Sequence, residues 1–243
     1  MYLKSANIIS TNSSGQTANE AILFDMDGVL VDVRFSYRKA IQETVRFFTE
    51  EKALPREIQE LKQQGGYNND WDLTAAILHK KGKHIPKTEI VKKFQELYLG
   101  IEGKSGFIQN EKWLLPKIFL EQLHKKYELG IVTGRPKEET LFVLRKFQVE
   151  NLFDVIVTME DYPPEKAKPD PYPIKLALEK IGKKVAIYIG DSIDDIAAAK
   201  HAGVRAIGCI PPGIPENPLK DLLLRSGAEK VLNNVKEIIL LFH

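Results

Sequence analysis

Phe24-Asp25-Met26-Asp27-Gly28-Val29-Leu30 directly follows the apolar run of residues 21–24. It sets two carboxylates two residues apart, ahead of a glycine that permits a sharp turn. Taken alone, such a stretch reads equally as a solvated Asx turn. Its meaning rests on whether other apolar runs end in similarly loaded residues. Val132-Thr133-Gly134-Arg135 closes the run 129–132, and Gly190-Asp191-Ser192-Ile193-Asp194-Asp195 closes the run 185–189. Lys168-Pro169-Asp170-Pro171 stands ahead of a helical pattern. Short apolar runs bounded in this way are expected to be parallel strands buried on both faces.

Further strands are expected at 155–157, 204–207 and 230–232, with helical patterns at 138–147, 171–181, 193–202 and 219–225. Strand and helix therefore alternate, which predicts an α/β fold with a Rossmann-like, doubly wound parallel sheet. Open sheets of this kind bind ligands at the carboxyl ends of their strands, where the polar residues of this chain fall. The alternation breaks between the first two strands, where residues 25–128 far exceed a crossover of about 10 to 12 residues. An inserted helical bundle is expected there. Tyr37, Ala40, Ile41, Thr44, Val45 and Phe48 share one helical face within 35–48, and further helices are expected from Glu57, Asp70 and Lys87. Gly103-Lys104-Ser105-Gly106 reads as a hinge closing the insertion; no strand precedes it, so it is not a phosphate-binding P-loop. The expected division is a tail over 1–20, a core over 21–33 and 105–243, and a helical cap over 34–104.

The chain has 243 residues, 43% of them hydrophobic, and a formal charge of +2, so no broad basic surface for nucleic acid or anionic membrane is expected. No apolar stretch approaches the roughly 20 residues of a spanning helix. Cys209, the single cysteine, has no partner for a disulfide or a zinc site and reads as a buried thiol in a reducing, cytoplasmic compartment, with organelle targeting left open. The five histidines show no paired metal spacing, and Lys80-Lys81-Gly82-Lys83 reads as a solvated loop. Nothing in the sequence sets an oligomeric state.

The four motifs, in this order at strand ends, resemble the haloacid dehalogenase superfamily, and specifically its members with a small helical cap after the first motif. Singly, the Thr133 and Lys168 motifs are commonplace, and helix capping alone accounts for Asp191, Ser192 and Asp194. The resemblance implies a phosphatase that hydrolyses a small phosphorylated metabolite. Asp25 would be the nucleophile that takes up the phosphoryl group, and Asp27 the general acid and then base. Mg²⁺ would be held by Asp25, the Asp27 carbonyl and Asp191, with Asp195 orienting its shell. Thr133, Gly134 and Lys168 would hold phosphoryl oxygens. Arg135 reads either as a substrate contact or as a surface residue of the following helix. Gly66 and Asn69, in Gln64-Gly65-Gly66-Tyr67-Asn68-Asn69-Asp70-Trp71-Asp72, read as a substrate-facing loop or as a turn with a helix cap behind it. Met26 is expected to point into the core. Two other functions share these motifs: a β-phosphoglucomutase-like isomerase and a non-catalytic module that binds phosphorylated metabolites. The resemblance also touches relatives linked to histidine biosynthesis.

Overall fold

The computed structural model describes residues 20–67 and 69–242. Residues 1–19, most of the expected tail, lie outside the described residues. Six strands, β1 (Glu20–Phe24), β2 (Glu128–Val132), β3 (Val155–Val157), β4 (Val185–Gly190), β5 (Arg205–Cys209) and β6 (Lys230–Leu232), form one parallel sheet in the order β6-β5-β4-β1-β2-β3. Chain order reverses between β1 and β4, so the loops leaving those two strands diverge and open a crevice.

The strand runs are apolar throughout because both faces are covered. Ile22, Phe24, Leu129, Ile131, Ile187 and Ile189 belong to one core, while Ala21, Leu23, Val132, Ala186 and Tyr188 belong to the other. This is the two-residue alternation of a pleated sheet read across three strands in register. Helices α7 (Tyr172–Ile181), α8 (Ile193–Ala202) and α9 (Glu216–Ser226) cover the second face through Ile174, Ala177, Ile196, Ala198, Leu219 and Leu223. Helices α5 (Lys117–His124) and α6 (Lys137–Lys146) supply Leu120, Leu123, Val143 and Leu144 to the first. Burying each Leu, Ile or Val among these contributes about 1.5–3 kcal/mol.

The insertion folds as four helices, α1 (Tyr37–Thr49), α2 (Pro55–Gln64), α3 (Asp70–Lys80) and α4 (Lys87–Tyr98). The apolar face of α1 reads as the spacing predicts: Tyr37, Ala40, Ile41, Thr44 and Val45 are buried, against α3 and α4. Two expectations change. Residues 103–106 are no loose hinge, because Gly100–Ile101 and Lys104–Ser105 pair antiparallel, satisfying backbone groups that a bare linker would leave to water. Helix α5 has no counterpart in the expected helices, since eight residues carry barely two turns of periodicity and only Leu120 and Leu123 are buried. A second short ribbon pairs Val31–Asp32 with Lys112–Trp113, tying the ascending and returning connections together.

Candidate active site

Asp25 extends the β1 ladder by one bond, its N–H donating to the Ile189 carbonyl at 2.8 Å. The chain then turns tightly, with Gly28 N–H donating to Val31 O and both Leu30 and Val31 N–H donating to Met26 O. Met26 points inward and is fully buried. The turn therefore throws Asp25 and Asp27 to the crevice side and Met26 to the core.

Two glycines let the strand-end loops approach. A Cβ on Gly28 would lie 2.2 Å from Asp191 Oδ2, and Gly28 has φ +81°; a Cβ on Gly190 would lie 2.2 Å from Asp195 Cβ. A side chain at either place displaces a carboxylate. Gly28→Ala is accordingly expected to cost about 1–3 kcal/mol in backbone strain. It should also weaken stabilisation by divalent cations at least about tenfold, a threshold equivalent to about 1.4 kcal/mol of lost ligation, read from melting temperatures across a cation titration.

Asp25, Asp191 and Asp195 come together, with one carboxylate oxygen from each lying within 4.8 Å of the others. Asp195 is fully engaged. Oδ2 accepts from Ser192 N at 3.1 Å and Ser192 Oγ at 2.6 Å, while Oδ1 accepts from Lys168 Nζ at 2.6 Å and Tyr188 OH at 3.1 Å. Burial works against its charge, but Lys168, Ser192 and Tyr188 hold its carboxyl below the usual carboxylate range. Asp25 is balanced differently: burial pushes it up to about 7 even though Lys168 Nζ donates to its Oδ1 at 2.7 Å. Asp191 is raised well above the ordinary value by burial and by the charges of Asp25 and Asp195. Asp25 and Asp191 thus form an under-neutralised pair of hard oxygen donors. That donor set fits a hard divalent cation.

Lys168, whose peptide bond to Pro169 is cis, is buried, its Nζ also donating to Tyr188 OH at 2.9 Å and Val132 O at 3.3 Å. Thr133 is buried, its N–H completing the sheet to Val157 O, and exposed Gly134 follows it on the crevice wall. The surface reading of Arg135 is corrected: its side chain is fully buried, with Nε donating to Asp27 Oδ1 at 2.6 Å, and Nη1 and Nη2 donating to Glu111 Oε2 and Oε1 at 3.0 Å each, while the residue also lines the crevice. Burial raises the Asp27 carboxyl, and Arg135 pulls it back down.

The double-glycine loop ends in the helix cap that its second reading expects, and it packs against the core. Gly66 N–H donates to Asp194 Oδ2 at 2.9 Å, and a Cβ on Gly65 would lie 2.9 Å from Ile193, so this loop seats the insertion on the start of α8. Asn69 caps α3, its Oδ1 accepting from Trp71 N and Asp72 N, while also lining the crevice with Trp71. From the insertion come Arg38 and Lys62, which the sequence did not single out, and Lys62 pairs with Asp70 at 2.8 Å. Glu111, Tyr98 and Tyr188 were equally invisible, since nothing local marks a residue whose partner lies on another element. Buried Cys209 has its thiol pushed up by burial, and no helix among the described residues is long and apolar enough to cross a membrane.

Residues 22–209 match the family described as haloacid dehalogenase-like hydrolase. The chain is 38% identical over 201 residues to an imidazoleglycerol-phosphate dehydratase of Phytophthora nicotianae, covering 79% of this chain but only 44% of that protein. It is 27% identical over 237 residues to a phosphorylated carbohydrates phosphatase of Thermotoga maritima, covering 90% of this chain and all of the relative. A crystal structure described as a predicted phosphoglycolate phosphatase from Haemophilus somnus superposes with a TM-score of 0.71 at 20% identity, covering 94% of this chain and all of that one, a likeness of fold.

Proposed function

We propose that this chain, which belongs to the haloacid dehalogenase-like hydrolases, is a magnesium-dependent phosphatase that hydrolyses the phosphate ester of a small metabolite by way of a phosphorylated Asp25. The observation that carries the reading is Asp25 itself: a buried carboxylate at a strand end, beside Asp191, with Lys168 on its Oδ1 and a second carboxylate, Asp27, one turn away.

Asp25 and Asp191, with the Asp27 carbonyl, would hold Mg²⁺, which when bound neutralises charge on phosphate and nucleophile. Thr133 Oγ1, the Gly134 N–H and Lys168 Nζ would bind the phosphoryl oxygens and set phosphorus in line with Asp25. A carboxylate oxygen of Asp25 attacks phosphorus, the P–O bond to the ester oxygen breaks, and protonated Asp27 gives its proton to the departing oxygen. Asp27, now a carboxylate, takes a proton from water as that water attacks phosphorus. The bond to Asp25 breaks, releasing inorganic phosphate and restoring both residues. The insertion would act as a cap that excludes bulk water during transfer.

Phosphate release from a panel of monoesters, with Mg²⁺ and with chelator, tests this directly. Release that needs Mg²⁺ is expected, and release unaffected by chelator would sink the metal-dependent scheme. Phosphorylated carbohydrates belong in the panel because of the Thermotoga relative. Imidazole-bearing esters belong there because the Phytophthora relative, of which this chain spans 44%, is named for imidazoleglycerol phosphate.

Stability should report the cation independently of turnover. The folded-state pKa of Asp25 lies near 7, above its ordinary 3.8. Between those values the metal-free folded protein binds more protons than the unfolded chain, so metal-free stability falls as pH rises through this window. The melting-temperature gain from Mg²⁺ is therefore expected to grow from pH 5 to pH 8. A gain that stays flat or shrinks would show that the cation does not relieve this carboxylate.

A further inference from the structure

Asp27, Arg135 and Glu111 form a line that runs from the crevice into the interior. The Asp27 side chain is 30% exposed, and those of Arg135 and Glu111 are fully buried. Both Arg135 contacts to Asp27 end on Oδ1, Nε at 2.6 Å and Nη2 at 2.5 Å. Among the described residues no hydrogen bond reaches Asp27 Oδ2. One oxygen of the carboxylate is clamped and the other is left for the crevice. The clamp is itself held: Glu111 grips the far edge of the guanidinium at two points, Nη1 also donates to Tyr98 OH at 3.2 Å, and the guanidinium lies 4.7 Å from the Tyr37 ring centre. Tyr98 OH donates in turn to Glu111 Oε1 at 3.0 Å, and the Tyr37 and Tyr98 rings stack at 4.2 Å.

These partners come from different parts of the fold. Asp27 and Arg135 follow strands of the sheet, Glu111 lies on the returning connection, and Tyr37 and Tyr98 lie on the first and last helices of the insertion. Glu139 of α6 adds a further tie, accepting from Tyr37 OH and from Gln95 Nε2 at 2.7 Å. Burying one cation with two carboxylates is a poor way to gain stability, because an apolar substitute of similar volume is often as stable or more so. Its value lies in fixing a direction, and the direction fixed is that of Asp27.

We propose that Arg135 and Glu111 are positioning residues that orient Asp27 for both proton transfers, and that the insertion completes this seat through Tyr98 and Tyr37, so that docking of the cap readies the acid–base group. This rests on the phosphatase reading above. An unclamped Asp27 can turn away from the leaving oxygen and from the attacking water, whereas phosphoryl binding by Thr133, Gly134 and Lys168 is untouched. The defect then belongs to kcat and depends on the leaving group. An alkyl ester needs a proton on its departing oxygen, while p-nitrophenolate leaves without one, so its first half-reaction proceeds and the second, which needs Asp27 as base, stalls.

The test is rapid-mix kinetics of wild type, Arg135→Lys and Glu111→Gln on p-nitrophenyl phosphate and on a primary alkyl phosphate, with melting curves alongside. For the variants kcat on the alkyl ester is expected to fall about 10–100-fold, part of the 10²–10⁴-fold that general acid–base catalysis supplies, with KM unchanged within about twofold. On p-nitrophenyl phosphate they should show a burst approaching one equivalent of nitrophenol, with the phosphoryl group retained on Asp25. Tyr98→Phe, which removes one hydroxyl, carries the same test in milder form if the ion-pair variants do not fold. Equal losses on both esters without a burst, or a rise confined to KM, would overturn the positioning role. Wild-type protein that releases no phosphate from any ester would overturn the phosphatase reading and this inference with it; active wild type with unaffected variants would overturn this inference alone.

Discussion

Asp25→Asn is expected to lower kcat by at least about 10⁴-fold, in the range seen when a covalent nucleophile is removed, while the protein stays folded. Asparagine matches aspartate in volume, so the buried seat beside Ile189 is filled as before, but the amide is a poor nucleophile and carries no charge for a cation. Two readouts separate catalysis from folding. Phosphate release should vanish at saturating Mg²⁺. The metal-free melting temperature should hold or rise, because the repulsion that lifts Asp191 loses its Asp25 contribution. The gain in melting temperature on adding Mg²⁺ should shrink together with activity. A well-folded variant that hydrolyses esters at a near-normal rate would remove Asp25 from the mechanism.

Lys168→Ala combines a catalytic and a structural loss. Electrostatic stabilisation by one such group is worth about 10²–10³ in kcat. Breaking a buried ion pair by removing one partner also costs about 3–5 kcal/mol. Both carboxylates that Nζ holds, Asp25 at 2.7 Å and Asp195 at 2.6 Å, are buried and lose their cation together. The pH dependence follows from the sign of the shifts. In the wild type, Asp195 sits below its ordinary value, so its stabilising contribution is present above that value and is lost on acidification. Without Lys168 only the Ser192 and Tyr188 hydrogen bonds oppose the effect of burial on that carboxyl, so it rises, and the folded state gains by taking up protons. The variant's deficit in metal-free urea unfolding should therefore be larger at pH 8 than at pH 5. A deficit independent of pH would mean that Lys168 acts by packing rather than by charge.

The clamp on Asp27 and the loop on Asp194 bear on how the fold couples to chemistry. Tyr37 and Tyr98 of the insertion contact Arg135, and Gly66 contacts Asp194, each beside a residue of the proposed catalytic set. The insertion is thereby joined to the rest of the fold both beside Asp27, through Arg135, and at the start of α8, whose first turn carries Asp194 and Asp195.

The sequence by itself determined the sheet, its parallel sense and the ends of β1, β2 and β4 as the places where polar residues gather. Apolar runs as short as residues 21–24, 129–132 and 185–189 leave little choice: both faces must be covered, and charge can appear only where a strand stops. It also determined that an insertion follows the first strand, because no crossover needs residues 25–128. What only the tertiary structure decided is where side chains on the loops turn. Arg135 stands one residue beyond Gly134 and could have faced outward; Glu111, distant in sequence, supplies the buried carboxylate that draws it in. Gly66 is set by Asp194 rather than by its own neighbours. Helix α5 forms because β2 and the first core receive Leu120 and Leu123, not because eight residues specify a helix. Periodicity is a local property that burial imposes along one element, whereas an ion pair joins residues that only folding brings within reach, and no spacing along the chain records it.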